Sequence, residues 1–522
     1  MLNELRIAST LLQDAVERYA KACASIKHSR PGPFQVEELA SLTLATELSQ
    51  LSTYEAKIRE SKAAIARYVN LCTGVVPVNR LPSEALVQIF QLLVDMEHRR
   101  PFSPPQDIPR YPLTLSHVCI TWRNIVLRTP SLWSRIIISS DLRVDKLLKS
   151  YMDYHQRQSK EALFDIIISD SFNSKTREAP TLSTFVVPFA GRIRSVDLLL
   201  NIDEDPLVTT IGDLITRTLE ASSNTLERFA LSAYPADPEL LFIESSSRAT
   251  NGLITHLSHE QLEAILEPVV NLWLRGLYFS WDSKAYHGLT TLQLEHCHGI
   301  SITEPQLINI LASSPQLRWI DMGLDIIQTV ATPDLPSIHL PDLELLVGGV
   351  LLLRLIRPGT NELTVSIIEK DGPEMLEDVK FKEFFLHANV VNFYSDDFLH
   401  YIREFGPLLS LTFCLRVLAL SNIELSGALP DITTRTSLDV LYLLDGCTLE
   451  WSLLREMVIK WNIKKLVFWG KNYITRGEPR NIGSQRALEE ELSGLPTQNL
   501  QLEFVTNNRP CPLVLFVGTT FR

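Results

Sequence analysis

The chain has 522 residues, too many for one ordinary core, so two or three folding units are expected. Apolar residues make up 45% and charged residues 21%, which excludes a disordered chain. A formal charge of −12 with no Lys/Arg-dense run argues against a nucleic-acid partner, because phosphate binding needs a basic face.

Glu4, Arg6 and Asp14 stand where a signal peptide needs an apolar run. The longest greasy stretch, Leu345 to Leu353, is far too short to cross a bilayer and is flanked by Glu344 and Arg354. Seven cysteines, odd in number and scattered (23, 72, 119, 297, 414, 447, 511), fit free thiols in a reducing compartment. The chain is therefore expected to be soluble, in the cytoplasm and/or nucleus, with no membrane partner.

The first element is a helix. Leu5, Ala8, Leu12, Ala15, Tyr19, Ala22 and Ile26 step by three and four, which puts one stripe on one face. Ser29-Arg30-Pro31-Gly32-Pro33 breaks it. A second run carries Leu51, Tyr54, Ile58, Ile65, Tyr68 and Cys72 at the same spacing, with Gly74 as a C-terminal cap and Pro77 as a stop. Residues 1–74 thus read as a helical hairpin or coiled coil. The stripes also offer weak self-association through residues 1–72, although about three heptads on the first helix are marginal for a dimer.

Leu81-Pro82-Ser83-Glu84 opens a third helix, with Leu86, Ile89, Phe90 and Leu93 at i, i+3, i+4, i+7. A proline-rich insertion, Arg100 to Pro112, interrupts. The next helix puts Leu115, Val118, Cys119, Trp122, Ile125 and Val126 on one side, and Thr129-Pro130 ends it. Ser131-Leu132-Trp133 leads into the strand-like Ile136-Ile137-Ile138. Two short amphipathic helices cannot make a self-sufficient core. Each buried Leu, Ile or Phe contributes only ~1.5–3 kcal/mol, against an ordering cost of ~1–2 kcal/mol per residue. Their apolar faces need another surface, in this chain or on a partner.

The ordered phrase Leu81-Pro82-x-Glu84-x-Leu86-x-x-Ile89-Phe90, Leu115-x-x-Val118-Cys119-x-x-Trp122-Arg123, Thr129-Pro130-x-Leu132-Trp133 resembles the F-box-like motif. It is especially similar to the form found in large fungal expansions of that family, where a coiled N-terminal segment also precedes the box. The resemblance implies binding to the small Skp-type adaptor of a cullin-RING ligase. The contact residues it implies are Leu81, Pro82, Leu86, Ile89, Phe90, Val118, Cys119, Trp122 and Arg123. Residues 75–135 are assigned to this domain, and the insertion at 95–111 departs from the family pattern.

From Trp133 onward a phrase recurs: apolar, two variable, apolar, one variable, apolar. It runs through Trp133/Ile136/Ile138, Leu163/Ile166/Ile168, Ile193/Val196/Leu198 and Leu226/Phe229/Leu231, then Leu289/Leu292/Leu294 and Leu317/Ile320/Met322. It returns at Leu415/Leu418/Leu420, Leu438/Leu441/Leu443 and Ile463/Leu466/Phe468. Leu289-x-x-Leu292-x-Leu294-x-x-Cys297-x-x-Ile300 matches the leucine-rich-repeat consensus in full, with Cys297 capping the strand turn and residues 305–312 supplying a helix. Residues 232–288 and 345–410 do not scan cleanly; Leu274/Leu277/Phe279 and Val391/Phe393 read there as degenerate strands. The fold class expected is α plus α/β: an N-terminal helical hairpin, F-box-like helices, then an irregular leucine-rich-repeat solenoid with parallel strands over residues 136–522.

Catalytic and nucleotide motifs are missing: no Gly-x-Gly-x-x-Gly, Gly-Lys-Ser/Thr loop, Gly-x-Ser-x-Gly or His-Glu-x-x-His occurs. His296-Cys297-His298 near His287 reads as strand neighbours facing opposite ways rather than metal ligands. His256 and His259 with Glu260 and Glu263 read as a solvated helix end, and Asp396-Asp397 and Glu489-Glu490-Glu491 as solvated faces. No enzyme activity, cofactor or metal is expected.

Alternation sends the residues between the inward positions onto the strand-lined face. In early repeats these are polar or small, such as Ser195, Asp197, Thr291, Gln293 and Glu295. In later repeats Val440, Tyr442, Leu444, Val467 and Trp469 form an apolar block, the expected surface for an unknown protein target. The competing expectation is that the C-terminal segment, with Leu513 to Val517, folds over this block. The sequence thus points to a substrate-recruiting F-box subunit of a Skp-cullin-RING ubiquitin ligase. The alternative is a non-catalytic leucine-rich-repeat scaffold with a degenerate F-box and no ubiquitin role.

Overall fold

The computed structural model describes residues 2–26, 34–71, 77–97, 111–139, 145–170, 186–202, 206–235, 241–245, 253–296, 299–328, 336–368, 378–396, 398, 401–429, 437–444, 446–469, 474–475 and 500–505. The chain divides into two compact units, Met1–Ala85 with Cys119–Thr121, and Leu86–Val118 with Trp122–Arg522.

The N-terminal unit holds two long helices, α1 (Leu2–Ile26) and α2 (Phe34–Leu71). The Tyr19 hydroxyl donates to the Glu47 carboxylate at 3.2 Å, and Leu12 shares an open groove with Ile58, Ile65 and Val69. Helix α2 starts at Phe34, well before the expected Leu51, because Leu44 and Leu48 continue the three-four spacing backwards. Cys72 and Gly74 lie outside the described residues.

Helix α3 (Ser83–Glu97) is followed by α4 (Leu113–Ser116), α5 (Ile120–Arg128) and a 3-10 turn, Pro130–Trp133. The buried face of α3 is Leu86, Phe90 and Val94, at i, i+4, i+8. This is rotated from the expected Leu86, Ile89, Phe90 and Leu93, and it leaves Ile89 41% exposed. Phe90 sets its ring 4.7 Å from that of Trp122. Trp133 is fully buried; its indole N–H donates to the Val126 carbonyl at 2.9 Å, and its ring meets Tyr154 and His155 nearly edge-on. An ion pair of 2.9 Å between Asp95 on α3 and Arg135 on the first strand joins the helices to the sheet.

Fourteen strands then form one sheet in strict chain order, from Arg135–Ser139 to Gln501–Val505, and every pairing is parallel. The middle residue of the recurring phrase is in register throughout: Ile136, Ile166, Val196, Phe229, then Leu272, Leu292 and Ile320, and so on to Leu441, Leu466 and Leu502. All of these but Leu502 are fully buried. Opposite this inward face lie the connecting helices. Glu304–Ser313, for example, is opened by Gln306 accepting from the Thr303 backbone N–H at 3.0 Å. The chain is α plus α/β, and its long sheet is an irregular stack of strand-and-helix coils. Spacing between in-register positions runs from Leu346 to Val365 at one extreme and from Phe229 to Leu272 at the other.

Two stretches that scanned poorly are ordinary coils. Leu272 and Leu274 face inward on the strand Asn271–Arg275, so the phrase there is Val269/Leu272/Leu274. Leu277 and Phe279, expected in that strand, follow it; Tyr278–Phe279 joins a small lateral sheet with Phe242–Ser245 and Leu253–Thr255. The greasy run from Leu345 is a strand, Leu345–Gly348, and a helix, Val350–Leu355. Glycine fills the third inward slot because a Cβ at Gly348 would come within 2.9 Å of the Leu352 side chain. Val391 and Phe393 do lie on a strand, Val390–Asp396, with Phe393 inward. Cys447 is buried and donates its thiol to the Leu420 carbonyl, while Cys297 lies outside the described residues.

Removing the indole of Trp133 leaves a large void between α5 and the first coil. Trp133→Ala should cost about 3–5 kcal/mol in urea unfolding, and Trp133→Phe distinctly less. Equal midpoints for Trp133→Ala and wild type would show that this joint carries no stability.

Candidate functional site

Because α3 turns Leu86 and Phe90 inward (2% and 0% exposed), its other side carries Ile89, Leu92 and Met96, which are 41%, 53% and 60% exposed. Val118, just past α4, is 55% exposed. Trp122 is half-buried beneath, against Phe90, and the exposed Arg123 donates from Nε to the Ser116 carbonyl at 3.0 Å, tying α5 back to α4. In the N-terminal unit Leu81 is 41% exposed, Pro82 is exposed and Cys119 is half-buried. Leu92 and Met96 escaped the sequence reading, although they follow Ile89 at i+3 and i+7. A short helix that exposes Ile, Leu and Met in one line has the character of an interaction surface.

Residues 78–139 match the F-box-like family. No curated protein matches the chain.

Beyond the F-box-like domain, the outer face of the sheet changes character along its length. The early strands carry ion pairs: Arg194 forks onto Asp165 at 3.0 Å through both carboxylate oxygens, and Arg228 meets Asp197 at 3.1 Å. Burial lifts the Asp197 carboxyl above its ordinary range, against the pull of Arg228 and Arg135, and its Oδ1 takes no hydrogen bond.

In the middle strands Glu295 accepts from the Trp273 indole N–H at 3.1 Å and from Gln293 at 2.9 Å, and pairs with Arg275 at 3.3 Å. Burial still raises its carboxyl. Asp321, which is next to Gln293 across the strands, is pushed up to about 7 by burial and then by the Glu295 charge. Glu295 was legible as an outward position. Asp321 and Trp273 were not singled out, the latter because its strand was read out of register.

In the late strands Tyr442 and Trp469 pack on a small cluster of Tyr394, Ala419 and Leu444. Val440 is half-buried like Tyr442 and Trp469, but Leu444 and Val467, expected to be exposed, are 4% and 1% exposed. Burial raises the Tyr442 phenol, Lys465 lowers it, and Glu503, 2.6 Å from Lys465, raises it again. Residues 510–522, the expected cover for this block, lie outside the described residues.

His296 and His287 are exposed, and Cys297 and His298 lie outside the described residues. His256 pairs with Asp213 at 2.7 Å rather than with its helix neighbours, and His259 stands 3.9 Å from Glu263. Among the described residues no group of three His, Cys, Asp or Glu could hold a metal ion, and no helix is long and apolar enough to cross a membrane.

Between the ordinary aspartate value of 3.8 and about 7, the folded chain holds a proton on Asp321 that the unfolded chain has lost. Stability therefore falls as pH rises through that window, by at most about 1.4 kcal/mol per pH unit for one group. Asp321→Asn, which stays neutral, should raise the melting temperature markedly more at pH 8 than at pH 5. Equal shifts at the two pH values would contradict the assignment.

Proposed function

We propose that this chain is the substrate-recruiting F-box subunit of a Skp-cullin-RING ubiquitin ligase. The reading rests on the match of residues 78–139 to the F-box-like family, within which helix α3 exposes Ile89, Leu92 and Met96. Domains of this family bind Skp-type adaptors, and an exposed apolar helix face is what such an adaptor would take. The docking residues proposed are Leu81, Pro82, Ile89, Val118, Cys119, Trp122 and Arg123, joined by Leu92 and Met96. Leu86 and Phe90 act from beneath, holding α3 at the angle that presents its outer side.

In this role the chain needs no active site. It raises the effective concentration of a target lysine near a ubiquitin-charged enzyme carried elsewhere on the ligase. The coils are read as irregular leucine-rich repeats whose outer sheet face selects the target. The proposed selecting residues are Val440, Tyr442 and Trp469, with Leu444 and Val467 as their packed base.

Ile89→Glu with Leu92→Glu places two charges where the adaptor would need an apolar surface. The variant should fold like wild type, since both side chains are exposed, and lose at least about 100-fold in adaptor affinity, about 2.7 kcal/mol. Unchanged binding would sink the adaptor reading and leave a repeat scaffold with a degenerate box. Tyr442→Ala with Trp469→Ala should leave adaptor affinity within about twofold (~0.4 kcal/mol) and abolish chain-dependent ubiquitylation of cellular targets. Persistence of the full set of targets would move the selecting surface elsewhere.

A further inference from the structure

Helices α1 and α2 are long, yet no described side chain on either is buried; only Tyr19, Glu47 and Leu51 reach half-burial. Fourteen of the exposed large apolar side chains, half of those among the described residues, lie on these two helices. A two-helix hairpin that buries nothing cannot offset its ordering cost, so this surface needs a cover.

We infer that the cover is a second copy of this chain, the two hairpins closing into an antiparallel four-helix bundle. The apolar surface has the necessary extent. At roughly 90–100 Å² apiece, the thirteen of these side chains other than Leu42 expose on the order of 1,200 Å², against the about 800 Å² per partner of a standard interface. It is also arranged for a helix. On α2, Leu44, Leu48, Leu51, Ile58, Ile65 and Val69 make one stripe, and Ile58, Ile65 and Val69 line with Leu12 a groove of about 460 Å³.

Charge selects a second copy over an unrelated helix. From Phe34 to Ser52 the sequence of α2 has no lysine or arginine, and Glu47 is part of its acidic set. From Thr53 to Leu71 it carries Lys57, Arg59, Lys62 and Arg67 against Glu55 and Glu60. Two copies of α2 laid antiparallel about a two-fold axis near their middle set acidic half against basic half, twice over. A parallel pairing would set like against like.

Sedimentation equilibrium of the full chain at about 10 µM tests this, the concentration at which a micromolar dimer (~8.2 kcal/mol) is populated. Wild type should run at twice the chain mass. Ile58→Glu with Ile65→Glu, both exposed in the single chain, should run as a folded monomer with wild-type circular dichroism. Leu42→Glu, about 160° around the helix from Ile58, should remain a dimer. A monomeric wild type overturns the inference, as does a double variant that stays dimeric. Adaptor binding by the double variant should be unchanged, which separates this result from the docking proposal.

Discussion

Each strand-and-helix coil of this chain has an apolar face that it cannot bury by itself, and the rest of the structure follows from that constraint. Ile136 is covered only when Ile166 lies beside it, Ile166 only when Val196 does, and the dependence runs strand by strand to Leu466 and Leu502. The sheet is parallel because every coil repeats the same crossover in the same sense. Variable connections are tolerated because they leave the in-register positions untouched: two strands of a lateral sheet precede Asn271–Arg275 and the third follows it, while a short helix and the strand Ile356–Pro358 separate Leu345–Gly348 from Leu363–Ile368.

A stack of this kind has an open first strand, where unpaired backbone groups and an uncovered apolar face meet solvent. At this end α3 is tied to the first strand by Asp95, and Trp133 is buried beside it. Trp133 fills the space between the last turn of the box and the helix Asp145–Ser159, and Asp95 fixes α3 to Arg135. The segment from α3 to Trp133 is therefore a cap at this end of the stack on one side and an apolar surface on the other. Its inner residues, Leu86, Phe90 and Val94, are buried in the cap, whereas Ile89, Leu92 and Met96 are largely exposed and contribute less to it. If the outer side docks the adaptor as proposed, docking and folding can be altered separately along one helix.

Much of the fold was legible because strand periodicity and repeat spacing are local properties. In nine occurrences of the phrase, from Trp133/Ile136/Ile138 to Ile463/Leu466/Phe468, the second and third residues lie inward on strands; the first precedes or opens the strand, and at Leu163 the neighbouring Phe164 is buried in its place. Legibility failed where packing overrode local pattern. Gly348 hides a repeat because Leu352 takes the space a third inward side chain would fill. Leu277 and Phe279 mimic a repeat because a lateral sheet needs apolar residues too. The inward face of α3 is not fixed by local pattern, since Leu86, Ile89, Phe90, Leu93 and Val94 are all apolar and tertiary neighbours, such as Trp122 against Phe90, decide which of them turn inward. The outer-face acid at Asp321 could not be found from composition. Its unusual titration comes from burial and from Glu295 one strand away, both consequences of the stack.

Among the described residues the outer side of the F-box-like helices carries an apolar face, which we propose is taken by another protein. Amide hydrogen exchange of the full chain, with and without a purified Skp-type adaptor, tests it most directly. Added protection should concentrate in residues 83–97 and 113–128 and leave the strands from 417 to 469 unchanged. Protection confined to the repeat strands, or none at saturating adaptor, would contradict the account.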